Sequence, residues 1–333
     1  MGRPTIHDVA KRAGVSKSLV SLVMQESPYV SDERRAAVLQ AVEDLNYRPN
    51  AMARGLVQQR SHVLGVMLSN LHNPFFADVV TGIEAAALER GYRAFFNTGV
   101  RVREREALAL ETLLQLQADG LILAGTLLDM KTINKAGKAV PIALISRATR
   151  SQHVDSVACD ERLGAKIAVD HLISFGHTRI AHIDGGRGAG AKRRRKGYEA
   201  AMAAHGLEST VTAGSYTEEG GAGGVRELLA TDQHPTAIFA PNDLAALGCL
   251  QALSDAGRSV PDDVSLMGYD NAWLAGLRHI SLTTIDQPRH ELGATAVELL
   301  MERLEGGRKD SRHIVLEPSL VVRTTTAPPA RGL

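Results

Sequence analysis

Apolar residues recur at two different periods along the chain, and the change of period divides it. In residues 6–13, Ile6, Val9, Ala10 and Ala13 fall at i, i+3, i+4 and i+7, the single stripe of a short helix. Thr5-Ile6-His7-Asp8 has the Thr-x-x-Asp form of a capping box, which places the helix start near Ile6. Gly14-Val15 interrupts the stripe as a tight turn, and Ser16 is placed to cap a second helix. In that helix Val20 and Val23 share a face while Lys17, Ser18, Ser21 and Leu22 point elsewhere. A third helix follows Ser31, with Asp32 and Glu33 at the positive end of its dipole and Val38, Val42 and Leu45 as its buried stripe. Three short helices then close a minimal core.

From His62 onward the pattern changes to apolar runs of strand length separated by helical segments: 63–68, 93–96, 120–123, 141–145, 179–183, 237–240 and 264–267. Continuous apolar runs of this kind are strands buried on both faces, and their alternation with helices predicts parallel sheets covered by helices. The expected fold class is therefore α/β: an N-terminal all-α headpiece, then two doubly wound parallel-sheet subdomains. About 270 residues are too many for one simple core. The expected boundaries are 1–48 for the headpiece, 49–60 for a linker, 61–325 for the two subdomains and 326–333 for a flexible tail. The subdomains are expected near 61–160 plus 290–320 and 161–289 plus 321–325.

Charge changes the picture of the headpiece. The whole chain has a formal charge of +1, yet residues 1–60 hold nine Lys and Arg against six acids, a net of +3, which leaves −2 for the remainder. Nucleic-acid affinity would thus sit at the N-terminus. Short and polar side chains at the exposed start of the second helix are the layout a helix-turn-helix needs. A three-helix module without DNA contact is the alternative that spacing alone leaves open.

Thr5-Ile6-His7-Asp8-Val9-Ala10, Ala13-Gly14-Val15-Ser16, Val20-Ser21 and the segment Asn46-Tyr47-Arg48-Pro49-Asn50-Ala51-Met52-Ala53-Arg54-Gly55-Leu56 resemble the LacI/GalR family of bacterial transcriptional repressors. The last segment looks like that family's hinge helix. The resemblance implies contacts to operator DNA from Thr5, Ser16, Lys17, Ser18, Ser21, Leu22, Asn50, Ala53, Arg54 and Leu56. The leucine would wedge into the minor groove at a central CG step of a pseudo-palindromic operator. Two positions depart from the family's habit: Leu19 stands where threonine is common, and Leu22 where a polar base reader is common. Leu22 is suited to a thymine methyl group, leaving Lys17 and Ser18 as the polar base-edge candidates.

Ligands of doubly wound folds bind beyond the carboxyl ends of the strands, and polar groups collect there. They are Asn70-Leu71-His72-Asn73-Pro74-Phe75-Phe76, Ser146-Arg147, Arg194, Pro241-Asn242-Asp243, Gly268-Tyr269-Asp270-Asn271 and Thr284-Ile285-Asp286-Gln287. Residues 61–325 resemble the periplasmic sugar-binding fold of the same family. The resemblance puts effector-binding positions at Asn73, Phe75, Phe76, Arg147, Arg194, Tyr216, Asn242, Asp270 and Gln287. Aromatic rings for C–H faces, a carboxylate to accept hydroxyl protons and guanidinium groups to donate suit a ring-form sugar. Ser146, where sugar binders often place an aspartate, removes one acceptor and opens the way to an acidic or phosphorylated effector.

Other motifs lead nowhere. Gly185-Gly186-Arg187-Gly188-Ala189-Gly190-Ala191-Lys192 has the wrong glycine-to-lysine spacing for a phosphate loop and is expected to be a loop before a helix. His171, His177 and His182 have no metal-ligand spacing, no nucleophile motif is present, and no enzyme activity, metal or cofactor is implied. No signal segment or membrane-length run is visible, so a cytoplasmic location with no membrane partner is expected. Cys159 and Cys249 are expected as buried thiols, and Thr324 to Leu333 as a frayed end. The picture is a homodimeric repressor controlled by a small-molecule effector, with a sugar favoured. Control by a protein partner, a sugar receptor without DNA binding and an enzyme on the same scaffold are its competitors.

Overall fold

The computed structural model describes residues 4–24, 26–47, 60–147, 149–231 and 234–330. The chain divides after Ser61 into two compact units. The first contains α1 (Ile6–Ala13), α2 (Lys17–Met24) and α3 (Asp32–Asp44). Its core is Val9, Ala10, Val20, Val23, Val30, Val38 and Ala41, with Ile6, Ala13, Val42 and Leu45 half-buried around it. The expected stripes thus face inward, although the stripe of α3 is centred on Val38 and Ala41 and its later members lie at the edge. At the start of α1 the Asp8 carboxylate accepts both the Thr5 amide (2.8 Å) and the Thr5 hydroxyl (2.7 Å). These bonds hold its pKa below the usual carboxylate value. Gly14 adopts φ 65°, the left-handed conformation a glycine C-cap accommodates. The Ser16 hydroxyl accepts the Leu19 amide at 3.2 Å and so caps α2.

In the second unit the elements run β1 (Val63–Leu68), α4 (Phe75–Glu89), β2 (Arg93–Thr98), α5 (Arg103–Gln115), β3 (Gly120–Ala124), α6 (Met130–Gly137), β4 (Ile142–Ile145), β5 (Asp155–Cys159), α7 (Glu161–Ser174), β6 (Ile180–Ile183) and α8 (Ala191–Ala204). There follow β7 (Thr210–Thr212), α9 (Glu218–Leu229), β8 (Ala237–Phe239), α10 (Asp243–Asp255), β9 (Ser265–Asp270), a 3-10 turn at Trp273–Gly276, β10 (Thr283–Asp286), α11 (Arg289–Leu304), β11 (His313–Leu316) and β12 (Ser319–Val321). Two six-stranded sheets result, ordered β11-β5-β4-β3-β1-β2 and β12-β10-β9-β8-β6-β7. Every pairing is parallel except the antiparallel β10–β12 pair at one edge. The chain passes from one sheet to the other between β5 and α7, between β10 and α11, and between β11 and β12. Three crossings make the two subdomains one unit joined by a hinge.

Strands β1, β3, β4 and β9 are buried almost throughout, as continuous apolar runs in a sheet covered on both faces require. The strands at the sheet edges, β2, β7, β11 and β12, are less covered, and β2 leaves Phe95 and Phe96 exposed. The cysteines are free and buried. The C-terminal segment departs from the expected frayed end. The Thr325 carbonyl accepts the Leu266 amide (2.8 Å), the Thr325 hydroxyl accepts the Thr283 amide (2.9 Å), and the Ala327 carbonyl bonds both His177 and Ser265. Consecutive threonines let residues 324–327 satisfy polar groups at one end of the second sheet, which composition alone does not reveal.

Candidate functional site

Two surfaces carry the expected chemistry. On the first unit, Ser16, Lys17 and Ser18 are exposed at the N-terminal end of α2, Ser21 is half-buried and Leu22 is 40 % exposed. Leu19 packs against the core, so its departure from threonine serves packing. Thr5 is exposed at the start of α1, with its hydroxyl committed to Asp8. Asn50, Ala53, Arg54 and Leu56 lie outside the described residues. Tyr29, which sequence reasoning did not single out, is 93 % exposed between α2 and α3.

On the second unit a cavity opens where the carboxyl ends of the two sheets meet. Loops after successive strands line it. The first sheet supplies Ser69 and Asn70 after β1, Arg101 after β2, Gly125 and Leu127 after β3, and Ser146 after β4, with Asn73, Phe75 and Phe76 at the start of α4. The second supplies Glu161, Gly188, Ala189, Arg194, Tyr216, Asn242, Asp270 and Gln287. The structure therefore brings together Asn73, Phe75, Phe76, Arg194, Tyr216, Asn242, Asp270 and Gln287, as the sequence analysis expects. Arg147 is the correction. Its guanidinium turns away and donates to the carbonyls of Thr126 and Leu128. Burial lowers its pKa without removing its charge.

Arg194 is organised differently from the expected sugar donor. Glu161 Oε2 accepts its Nε (3.0 Å) and Nη2 (2.7 Å), the Pro241 carbonyl accepts Nη1, and the guanidinium stacks 3.4 Å from the centroid of Tyr269. Both members of this ion pair are almost completely buried. Desolvation is the largest single influence and opposes the charge on Arg194, but Glu161 together with Tyr216, Tyr269 and Asp270 outweighs it and raises the pKa of the guanidinium. The basic run 192–196 is thus split by helical periodicity: Arg194 is buried while Lys192, Arg193, Arg195 and Lys196 are exposed. Glu161 was missed because it lies 33 residues from its partner, just after a strand that the apolar pattern did not disclose.

The glycine-rich segment is the expected loop before a helix, with a purpose beyond joining elements. A side chain at Gly185 or Gly188 would collide with the Tyr216 ring, and one at Gly190 with Glu161. The missing side chains let Tyr216 lie on the loop, where its hydroxyl donates to the Ala189 carbonyl at 2.8 Å. Phe75 and Phe76 form an edge-to-face pair with centroids 5.1 Å apart.

Three lining groups have buried polar atoms that lack a partner among the described residues: Ser146 Oγ, Asn242 Nδ2 and Gln287 Oε1. Two of them are half explained. Asn242 Oδ1 caps α10 by accepting the Ala245 amide (2.9 Å), which leaves its amino group free. Gln287 Nε2 donates to Asp270 Oδ1 (2.7 Å), which leaves its carbonyl oxygen free. Burial pushes the Asp270 carboxyl up to about 7, against the opposing pull of Arg194. A buried polar atom without a partner costs on the order of 1–3 kcal/mol. A ligand carrying both donors and acceptors would recover that cost.

Residues 5–50 match the family described as bacterial regulatory proteins, lacI family, and residues 169–326 match a periplasmic binding protein-like domain. The ribose operon repressor of Escherichia coli is 36 % identical over 96 % of this chain and 98 % of its own length. The lac repressor dimer bound to operator and an anti-inducer is similar in structure, with TM-score 0.84, 29 % identity and coverage of 98 % of this chain and 100 % of that one. A LacI family regulator from Enterococcus faecium with bound ribose gives TM-score 0.73 and 28 % identity over 80 % of this chain and all of that one.

Proposed function

The chain belongs to the LacI family of DNA-binding transcriptional repressors, and from that premise we propose that its cleft binds a monosaccharide or a close derivative that controls operator binding. The observation that carries this reading is the cavity itself. Phe75, Phe76 and Tyr216 offer faces for sugar C–H groups, and the free atoms of Ser146, Asn242 and Gln287 offer both donors and acceptors to hydroxyls. In this role Asn73, Arg194, Asp270 and Gln287 set the polar frame, and Arg194 acts chiefly through Glu161 and Tyr216. Because the chain crosses the hinge three times, a ligand touching both walls would favour one relative orientation of the subdomains. Coupling to DNA of about 1–3 kcal/mol is the usual scale.

The protein acts by binding, without catalysis, in the cytoplasm where its DNA lies. It works as a homodimer on a pseudo-palindromic operator, with Lys17, Ser18, Ser21 and Leu22 reading base edges and Leu56 kinking the centre. The exposed Phe95, Phe96, Val100 and Val102 on and beside edge strand β2 offer apolar surface for self-association. Thermal unfolding of the full chain against neutral sugars, polyols, sugar derivatives and purines tests the effector reading. Ligand at a hundred times its Kd adds about 2.7 kcal/mol of stability, and silence toward every carbohydrate would overturn it. Selection from random DNA tests the headpiece. Leu22→Arg is expected to recover a different half-site, and an unchanged motif would remove Leu22 from base reading.

A further inference from the structure

Four charged side chains line the cavity: Arg101, Glu161, Arg194 and Asp270. Their charges are not evenly matched. Glu161 and Arg194 neutralise each other within the second wall, and Asp270 is held there by Gln287. Arg101 has no carboxylate within ion-pair distance among the described residues. Its Cζ lies 5.8 Å from the centroid of Tyr216, which belongs to the opposite wall, so the guanidinium reaches across the cleft.

The backbone is shaped to hold it there. Val100 and Arg101 have φ of 51° and 57°, a region that non-glycine residues and β-branched ones above all rarely enter. The turn is fastened by the Arg101 amide to the Ser69 carbonyl (2.8 Å) and by the Val102 amide to the Gly99 carbonyl (2.9 Å). Among the described residues, the rest of the first wall's cavity lining carries no charge. It offers Ser69, Asn70 and the free hydroxyl of Ser146, while the other arginine of this wall, Arg147, is spent on carbonyls outside the lining. The start of α4 also borders the cavity through Asn73 and Phe75, and a helix start favours negative charge.

We propose that Arg101 is a specificity-determining residue that binds an oxyanion, phosphate or carboxylate, carried by the effector sugar. This rests on the reading of the cleft as a carbohydrate site and narrows it from sugars in general to anionic sugars. A guanidinium offers paired donors that match the oxygens of a phosphate or carboxylate, while the sugar ring occupies the aromatic and polar frame of the second wall.

Calorimetric titration of the full-length protein tests it, using ribose with ribose 5-phosphate, fructose with fructose 6-phosphate, glucose with glucose 6-phosphate and with glucuronate, and inorganic phosphate alone. A charged member is expected to bind about tenfold or more tightly than its neutral parent, the usual scale for hydrogen bonds to a charged group. Arg101→Met should bring that ratio close to one, and Arg101→Lys should keep part of it. Unfolding curves of the variants confirm that they fold. A neutral sugar binding as well as or better than its charged derivative overturns the role of Arg101 and leaves the carbohydrate reading in place. A preference that survives Arg101→Met, or inorganic phosphate binding as tightly as any sugar derivative, overturns the role as well. No binding by any sugar, charged or neutral, overturns both.

Discussion

The two walls of the cleft are built from similar loops on similar sheets, yet they solve opposite electrostatic problems. The second wall is self-sufficient in charge: Glu161 neutralises Arg194 and Gln287 holds Asp270, while Asn242 caps a helix with one end of its amide and leaves the other, like the Gln287 carbonyl oxygen, for a ligand. The first wall is open, with an unmatched Arg101 and an unpartnered Ser146 hydroxyl. A wall that already satisfies its own charges contributes shape and stability. A wall that leaves them unmatched contributes discrimination, because a ligand must complete it.

The largest effect should come from breaking the self-sufficient wall. Glu161→Gln leaves Arg194 buried beside a neutral partner and should lose about 3–5 kcal/mol in denaturant unfolding, whereas replacing both residues with apolar ones of similar volume should lose much less. Equal losses would show that the pair matters only for packing.

The next effect is on pH. The Asp270 carboxyl titrates at about 7 in the folded chain against an ordinary value of 3.8, so the folded state keeps its proton longer. Its contribution to stability is full below about pH 4, declines as pH rises toward 7, and is constant above. Asp270→Asn should flatten that part of the profile of stability against pH. A ligand hydroxyl donating to the carboxylate favours the ionised form, so effector affinity should rise through the same interval and the variant should lose that rise.

A smaller effect separates the two jobs of Asn242. Serine is nearly as good a cap as asparagine, so Asn242→Ser should hardly change the unfolding midpoint. It removes the free amino donor and should weaken effector binding by about two- to tenfold. A collapse in stability would show that the amino group serves the fold. The smallest effect belongs to the open wall: Arg101→Met should change unfolding by no more than about 1 kcal/mol, because a half-exposed guanidinium over the Tyr216 ring loses only a weak cation–π contact. A loss comparable with that of Glu161→Gln would erase the contrast between the walls.

Much of this was legible along the chain because it is a local property. The stripe Ile6, Val9, Ala10 and Ala13, the Thr5–Asp8 start and the Ser16 cap depend on neighbours within one or two turns. The runs at 63–68, 120–123 and 141–145 are strands because both faces are buried. The lining positions Asn73, Asn242, Asp270 and Gln287 were also legible, since each follows a strand or opens a helix and the resemblance to a known family places them. Strands β5, β7, β10, β11 and β12 were not among the apolar runs. Several carry Asp, Ser or Thr whose polar groups are satisfied by distant partners, as Asp155 is by Arg303 and Arg308.

Sequence by itself determined where the headpiece helices and the apolar covered strands form, which end of the chain carries the positive charge and which loops gather at the cleft. These follow from periodicity and from chemistry within a few residues. Only the tertiary structure decided which charges meet. Glu161 finds Arg194, Arg147 turns out of the cavity while Arg101 turns in, and Thr325 and Ala327 dock on one end of the second sheet. Each of those outcomes depends on strand order and crossings, which bring together groups far apart in the chain, and burial then makes an unmatched partner too costly to leave.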